Sequence, residues 1–380
     1  MKLLYLIPSL SNPGGMERVL TEKINYLVDV YGFDITIMTT DQMGAPVYFD
    51  LHKKVKIIHL DLDFNSHFGK NILRKLIATK GLLKKYRSIL ETFLKSQKVN
   101  VCISLGGKEL EFLYKINTDT KIICELHFGQ SIREQFLTAR SNNILLRNLG
   151  VYRTKQLIKQ TQKLDKLVVL TKADKEVWEK TNNNVEHIYN FVTSQSDKVS
   201  SLEPKRVIAI GRLDAQKGFD LLIDAWELIG KENETWKLDI YGKGEWQDLL
   251  NDKIKNKKLE EQVFLKGVTK NVEQELLASS IFVLSSRYEG FAMVLLESIS
   301  YGLPIVAFDC KTGPSEIIND NDCGILVPAE NIEKLAEGIN ALIRNEEIRK
   351  QKGLVAKQKS EFFSKEKIMQ QWYELIKSLV

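Results

Sequence analysis

Short apolar runs rich in Val, Ile and Leu recur along the chain, separated by longer stretches whose apolar residues return at helical spacing. Runs of this kind, bounded by Gly, Pro, Asn or Asp, read as buried strands, and their alternation with helices is the signature of a parallel α/β sheet. The first half predicts strands over Lys2–Pro8, Phe33–Thr40, Val55–Asp61, Asn100–Leu105, Lys121–His127, Lys166–Thr171 and Val185–Asn190. Helices fill Met16–Val30, Asn71–Lys95, Ile132–Gln162 and Ala173–Lys180. Between Asn190 and Pro204 the pattern lapses into polar, serine-rich FVTSQSDKVSSLEP, which reads as a linker. A second series follows, with strands over Arg206–Ile210, Trp236–Tyr241, Val263–Leu265, Ile281–Leu284, Pro304–Phe308 and Gly324–Val327, then a helix over Ile332–Arg344. Ser364–Leu379 is amphipathic, with Ile368, Trp372, Leu375 and Leu379 spaced to pack. The fold class is α/β: two parallel-sheet domains, 1–193 and 194–363, and a terminal helix, 364–380.

The stretch Ile281–Gly302, IFVLSSRYEGFAMVLLESISYG, concentrates the chemistry. A strand ends at Ser285, Glu289 falls in the loop beyond it, and Glu297 is the one charge in an apolar helix. Open α/β sheets bind ligands at the carboxyl ends of their strands, so both acids could face one cleft there. The bland alternative is a helix N-terminal acid and a partly solvated helix acid. Three glycine turns lie at other strand ends. Arg212 and Lys217 in GRLDAQKG could neutralise a diphosphate, the arginine as a fork and the lysine as a point charge. Gly242 in YGKGE and Gly267-Val268 permit close approach of a ligand to the backbone. In the first half, SLSNPGGMER joins strand to helix through Gly14-Gly15; it suits an anion or is a plain turn, and it lacks GxGxxG.

Composition excludes little: 43% hydrophobic and 27% charged residues are ordinary for a soluble globular protein. No run is apolar and long enough to span a membrane. The four cysteines have no metal-like spacing and suggest reduced thiols in a cytoplasmic protein. Charge is uneven: residues 1–195 carry a net +10 and the remainder −4. From Lys70 to Lys98 nine basic residues face the single acid Glu91, and Arg133–Lys163 holds seven against Glu134. Each region is either a packed helix with a solvated basic face or a surface for an anionic membrane. Asp61-Leu62-Asp63 has the shape of a divalent-metal motif, against the simpler reading of a polar strand end.

Together these motifs resemble a retaining glycosyltransferase of the GT-B fold, of the family 4 (group 1) type. The resemblance spans the chain and rests on EGFAMVLLE (Glu289 to Glu297), GRLDAQKG, PGGMER and GLPIVAFDCKTGPSEII. It implies two Rossmann-like domains facing across a cleft that closes on the substrates, the first binding the acceptor and the second a nucleotide sugar. The terminal helix would cross back to the first domain. It also implies that Glu297 holds the ribose, Glu289 meets sugar hydroxyls, and Arg212 and Lys217 grip the diphosphate. The amides around Phe291, Ala292, Met293 and Val294 would contact sugar and phosphates; Gly242, Gly267 and Val268 would hold the base, and Gly15 would cap the donor. His127 would lie near the reacting sugar, although a histidine at a strand end is often structural. Residues after Asn190 depart from the family pattern, reading Phe191-Val192-Thr193. The loop Phe308–Pro314 is similar to members that add galactose or N-acetylhexosamine. The expected enzyme needs no metal or other cofactor, uses a UDP-linked donor and a glycan or lipid-linked acceptor, binds no nucleic acid, and is cytoplasmic, peripheral on the membrane's inner face. A sugar-nucleotide epimerase and a non-catalytic sugar-nucleotide sensor are the alternatives.

Overall fold

The computed structural model describes residues 1–64, 72–130, 144–193, 197–310, 313–318 and 322–380. The start of the expected helix at Asn71, the Arg133 end of the second basic region, part of the linker, and Lys311-Thr312 of the Phe308–Pro314 loop lie outside these residues.

Two compact units are present: Met1–Tyr189 with Glu366–Val380, and Asn190–Lys365. The first holds a seven-stranded sheet of order β3-β2-β1-β4-β5-β6-β7, all parallel, with β1 Lys2–Ile7, β2 Asp34–Thr39, β3 Lys56–His59, β4 Val101–Ser104, β5 Lys121–Leu126, β6 Lys166–Val169 and β7 Val185–His187. The second holds a six-stranded parallel sheet of order β10-β9-β8-β11-β12-β13, with β8 Arg206–Ile210, β9 Lys237–Tyr241, β10 Val263–Gly267, β11 Ile281–Leu284, β12 Ile305–Asp309 and β13 Gly324–Pro328. Both are Rossmann-like sheets with interleaved helices, the expected fold class. Central strands are apolar throughout because helices cover both faces: every residue of β11 and of Leu3–Ile7 is buried.

Strand order reverses beside β1 in the first unit and beside β8 in the second. At such a switch point neighbouring connections leave to opposite faces and open a crevice at the strand carboxyl ends. The loops after β8 and β11 border that point in the second unit, and those after β1 and β4 border it in the first.

The division between units falls after Tyr189 rather than Thr193. Phe191 is fully buried, Val192 N–H donates to the Phe363 carbonyl at 2.9 Å, and Thr193 reaches Glu297, so this stretch packs in the second unit. The other division falls after Lys365 rather than Phe363. The helix Lys365–Ser378 belongs to the first unit, where Trp372 is buried over Lys23 and Tyr373 stacks on Tyr31 at 4.3 Å between centroids. β3 stops at His59, so Asp61 and Asp63 lie beyond it in the left-handed region, at φ 43° and 53°. The Asp61 carboxylate accepts the Met43 N–H at 2.8 Å. Asp61 thus ties the loop after β3 to the loop after β2, and no group of His, Cys, Asp or Glu able to hold a metal occurs among the described residues.

Candidate active site

The loop after β8 is built around Asp214. Its carboxylate accepts the N–H groups of Gln216 and Lys217 at 3.1 and 3.3 Å, winding Ala215–Lys217 into a 3₁₀ turn. Gly218 then takes φ 61°, and a Cβ there would stand 2.1 Å from the Ser285 carbonyl oxygen, so only glycine lets the β8 and β11 loops meet. The contact is sewn by Ser285 Oγ donating to the Lys217 carbonyl at 2.9 Å and by Arg287 N–H donating to that of Gln216 at 2.8 Å. Arg287 in turn grips Asp220 through two bonds of 2.9 and 2.7 Å. This scaffold turns Lys217 onto Glu289: Nζ lies 2.6 Å from Oε1, which also accepts the Ser286 hydroxyl at 2.6 Å. Both side chains are mostly buried, 16% and 7% exposed, so their attraction is weakly screened. Beside them burial, then the Glu289 carboxylate, push the Cys310 thiol up to about 12, which rules it out as a thiolate nucleophile.

Arg212 is placed differently. Its side chain is 73% exposed, with Nε 3.3 Å from Asp214 and Nη2 donating to Gln216 at 3.2 Å. It stands on the same loop as Lys217, held only by these exposed contacts. The helix Met293–Ser300 begins at Ala292 with no side-chain cap and no acid in its first turn. The first amides of that helix therefore present the positive end of a helix dipole that the Ala292 cap leaves without a side-chain acceptor. On that helix the Glu297 carboxylate accepts the Thr193 hydroxyl at 3.3 Å. Gly242, Gly211 and Gly267 lie side by side: Gly211 N–H donates to the Tyr241 carbonyl at 2.9 Å and Gly242 N–H to that of Gly267 at 2.8 Å. A Cβ on Gly242, at φ 148°, would meet the Gly211 oxygen at 1.8 Å. Val268 beyond them is exposed.

The second unit thus places Arg212 and Lys217 on the loop after β8, Glu289 on the loop after β11, and Glu297 in the helix that follows it, at the carboxyl ends of the two central strands. Gly15 and His127 lie in the first unit. Gly15 opens the helix Gly15–Asp29, whose cap Gly14 has no side-chain bond, while Glu17 folds back beneath Gly14 and accepts Asn12 Nδ2 at 3.2 Å. That end already carries a carboxylate. His127 follows β5, its Nε2 3.0 Å from Glu125 Oε1. Sequence reasoning missed Ser286, Asp214, Gln216 and Thr193. Asp214, immediately before the turn it caps, is the one whose local pattern could have shown it.

Two cations, two acids and a helix end without a side-chain cap thus follow the strands at the sheet switch point, a chemistry suited to a negatively charged, hydroxyl-rich ligand. Comparison with known proteins identifies the family. The profile of the glycosyl transferases group 1 matches residues 192–359. The amylovoran biosynthesis glycosyltransferase AmsD of Erwinia amylovora is 30% identical over 99% of each chain. An uncharacterized glycosyltransferase of Haemophilus influenzae is 29% identical over 98% of each. Among solved structures, S. aureus TarM in complex with fondaparinux, α-GlcNAc-glycerol and UDP matches at a TM-score of 0.78 and 20% identity, over 99% of both chains. With a whole-length relative, the family match and this GT-B architecture, the chain belongs to the glycosyl transferases group 1 and is a hexosyltransferase.

Proposed function

We propose that the chain transfers a hexose or N-acetylhexosamine from a UDP-linked donor to a glycan or lipid-linked oligosaccharide in surface polysaccharide biosynthesis, with retained anomeric configuration and no metal. The observation that carries this reading is the Lys217–Glu289 pair at the sheet switch point, with Arg212 on the same loop as Lys217 and, after Glu289, a helix whose cap Ala292 makes no side-chain bond. Departure of a diphosphate from an anomeric carbon develops negative charge, and Arg212, Lys217 and helix-end amides are the groups that stabilise it. Glu289 is then assigned to hydroxyls of the sugar and Glu297 to the ribose. With no carboxylate nucleophile assigned to the sugar, the acceptor hydroxyl attacks on the face the diphosphate leaves and passes its proton to a departing phosphate oxygen. The names of two similar proteins support the substrate class: AmsD acts in amylovoran biosynthesis, and TarM was crystallised with UDP and α-GlcNAc-glycerol.

A panel of sugar nucleotides tests this directly. UDP-sugars are expected to raise the melting temperature and one of them to be turned over, with activity surviving EDTA. No stabilisation by any UDP-sugar would sink the donor assignment; loss of activity in EDTA would sink metal independence.

The lipid-linked acceptor is proposed from the first unit's surface. In the helix Ile72–Gln97, Tyr86, Leu90 and Leu94 are buried while Ile77 is 71% exposed near Arg74, Lys80, Lys84 and Lys85. In Ile144–Thr161, Leu145 is 72% exposed and Tyr152 66%, with Arg153 and Lys155 exposed nearby. Exposed apolar residues among cations suit an anionic bilayer surface. Arg87 is already engaged by Glu91 at 2.7 Å, so the charges to neutralise are Lys84 and Lys85. Sedimentation with anionic liposomes that these changes leave undiminished would remove the membrane proposal. No helix among the described residues is long and apolar enough to cross a membrane.

A further inference from the structure

Beneath His127 lies a buried pair of charges that the proposed chemistry leaves unused. Lys23, on the helix Gly15–Asp29, is 1% exposed, and Glu125, on β5, is completely buried. Lys23 Nζ donates to Glu125 Oε1 at 2.5 Å, and His127 Nε2 lies 3.0 Å from the same oxygen. The ammonium also sits 3.8 Å from the ring centroid of Trp372, on the helix Lys365–Ser378. The other carboxylate oxygen, Oε2, is buried with no hydrogen-bond partner among the described residues. Burying an ion pair so deeply is costly, and apolar side chains would fill the same volume without that cost. Such a pair calls for a reason beyond packing.

The reason is in the protonation state of the acid. Burial alone would raise the Glu125 carboxyl, but the Lys23 ammonium and then His127 outweigh it and hold the group down at about 2. Burial lowers Lys23, and Glu125 opposes that. The third titratable group facing them, Tyr5 on β1, is pushed well up by burial and by Glu125, and stays a neutral phenol. Glu125 is therefore a carboxylate, which accepts hydrogen bonds and cannot donate one. The nitrogen that meets it must carry the proton, so in the neutral ring Nε2 is protonated and Nδ1 keeps its lone pair.

We infer that Lys23 and Glu125 are positioning residues for His127: the carboxylate fixes the ring's orientation and its Nε2–H tautomer, so that His127 meets its ligand as a hydrogen-bond acceptor at Nδ1. A sugar hydroxyl is the donor that suits this nitrogen, a step that rests on the proposed function; the tautomer and its cause do not. The Trp372 ring, 3.8 Å from the Lys23 ammonium, packs on the same buried pair and so belongs to the same device.

The experiment is ¹⁵N NMR of protein labelled at histidine, with the His127 signals assigned by their loss in His127→Asn. The neutral ring is expected to show a protonated Nε2 and an unprotonated Nδ1. The partner protein is the double variant Lys23→Met with Glu125→Gln, because Glu125→Gln alone leaves the Lys23 charge buried without a counter-ion. A glutamine can accept or donate, so the double variant is expected to fold, as checked by melting, and to show a mixture of tautomers. An Nδ1-protonated ring in the unsubstituted protein, or the same tautomer in a folded double variant, overturns the inference. Turnover of UDP-glucose, UDP-galactose, UDP-N-acetylglucosamine and UDP-N-acetylgalactosamine is the second readout. For whichever is used, kcat is expected to fall roughly tenfold or more, with KM little changed. A lost tautomer preference with unchanged kcat sustains the positioning and removes His127 from the proposed transfer, so the two failures are distinct.

Discussion

The Lys217 ammonium lies 2.6 Å from Glu289, 72 residues away in sequence, and shares that carboxylate oxygen with the Ser286 hydroxyl. The cation assigned to phosphate is thus neutralised by the acid assigned to sugar. A donor that gives hydroxyls to Glu289 and phosphate oxygens to Lys217 uses both halves of the pair at once. Glu289→Gln keeps the shape and frees the lysine. UDP affinity measured by calorimetry is expected to hold or improve a few-fold, while sugar transfer drops by roughly a hundredfold or more. Near-normal transfer would remove Glu289 from the mechanism.

The two cations should respond differently. Lys217→Met removes a mostly buried, charge-assisted donor and is expected to weaken UDP binding roughly tenfold or more. Arg212 is exposed and tethered lightly, so Arg212→Lys preserves charge and tests its planar fork. Turnover should fall in Arg212→Lys while the melting temperature of the ligand-free protein stays put. A shift in that melting temperature would mark Arg212 as structural.

Gly218→Ala places a side chain at φ 61° and against the Ser285 carbonyl. The left-handed backbone alone costs about 1–2 kcal/mol, and the clash adds to it. A fall in melting temperature of roughly 5 °C or more is expected, with loss of transfer, since Lys217 and the β11 loop are joined there. An unshifted melt with full activity would mean the two loops part without consequence.

Acid stability isolates the buried carboxylate. Glu125 titrates at about 2 in the folded chain, against 4.5 for an ordinary glutamate, because Lys23 and His127 overcome the burial that opposes its charge. The folded state holds that proton less tightly than the unfolded one, so its contribution is full above about 4.5 and is lost as pH falls from there toward 2. In the Lys23→Met, Glu125→Gln double variant this part of the decline should vanish from melts recorded between pH 5 and 2.5. Parallel curves would place the acid sensitivity elsewhere.

Much of this architecture was legible because parallel strands buried on both faces must be apolar throughout. Arg206–Ile210 and Ile281–Leu284 run as their patterns indicate. Ends were less legible: β7 stops at His187 rather than Asn190, and the helix Glu346–Ser360 follows Arg344 with only Asn345 between, which caps it by accepting the Ile348 N–H at 3.0 Å. The site's charges could be read from their places at strand ends. Their partners could not: Thr193 meets Glu297 across 104 residues, a pairing that no local spacing encodes. Lys23 is the sharpest case. On its helix it reads as one more basic residue, and its burial depends on Glu125 and Trp372, far along the chain.

That dependence has a consequence for the order in which the protein is made. The second unit, Asn190–Lys365, is one uninterrupted segment, complete when only the first residue of the helix Lys365–Ser378 has been synthesised. The first unit consists of two segments separated by the whole of the second. Its sheet can form early, but Lys23 and Glu125 then face each other with one wall of their enclosure missing until Trp372 is made. The unit begun first is therefore finished last, and its buried charges stay within reach of water until then.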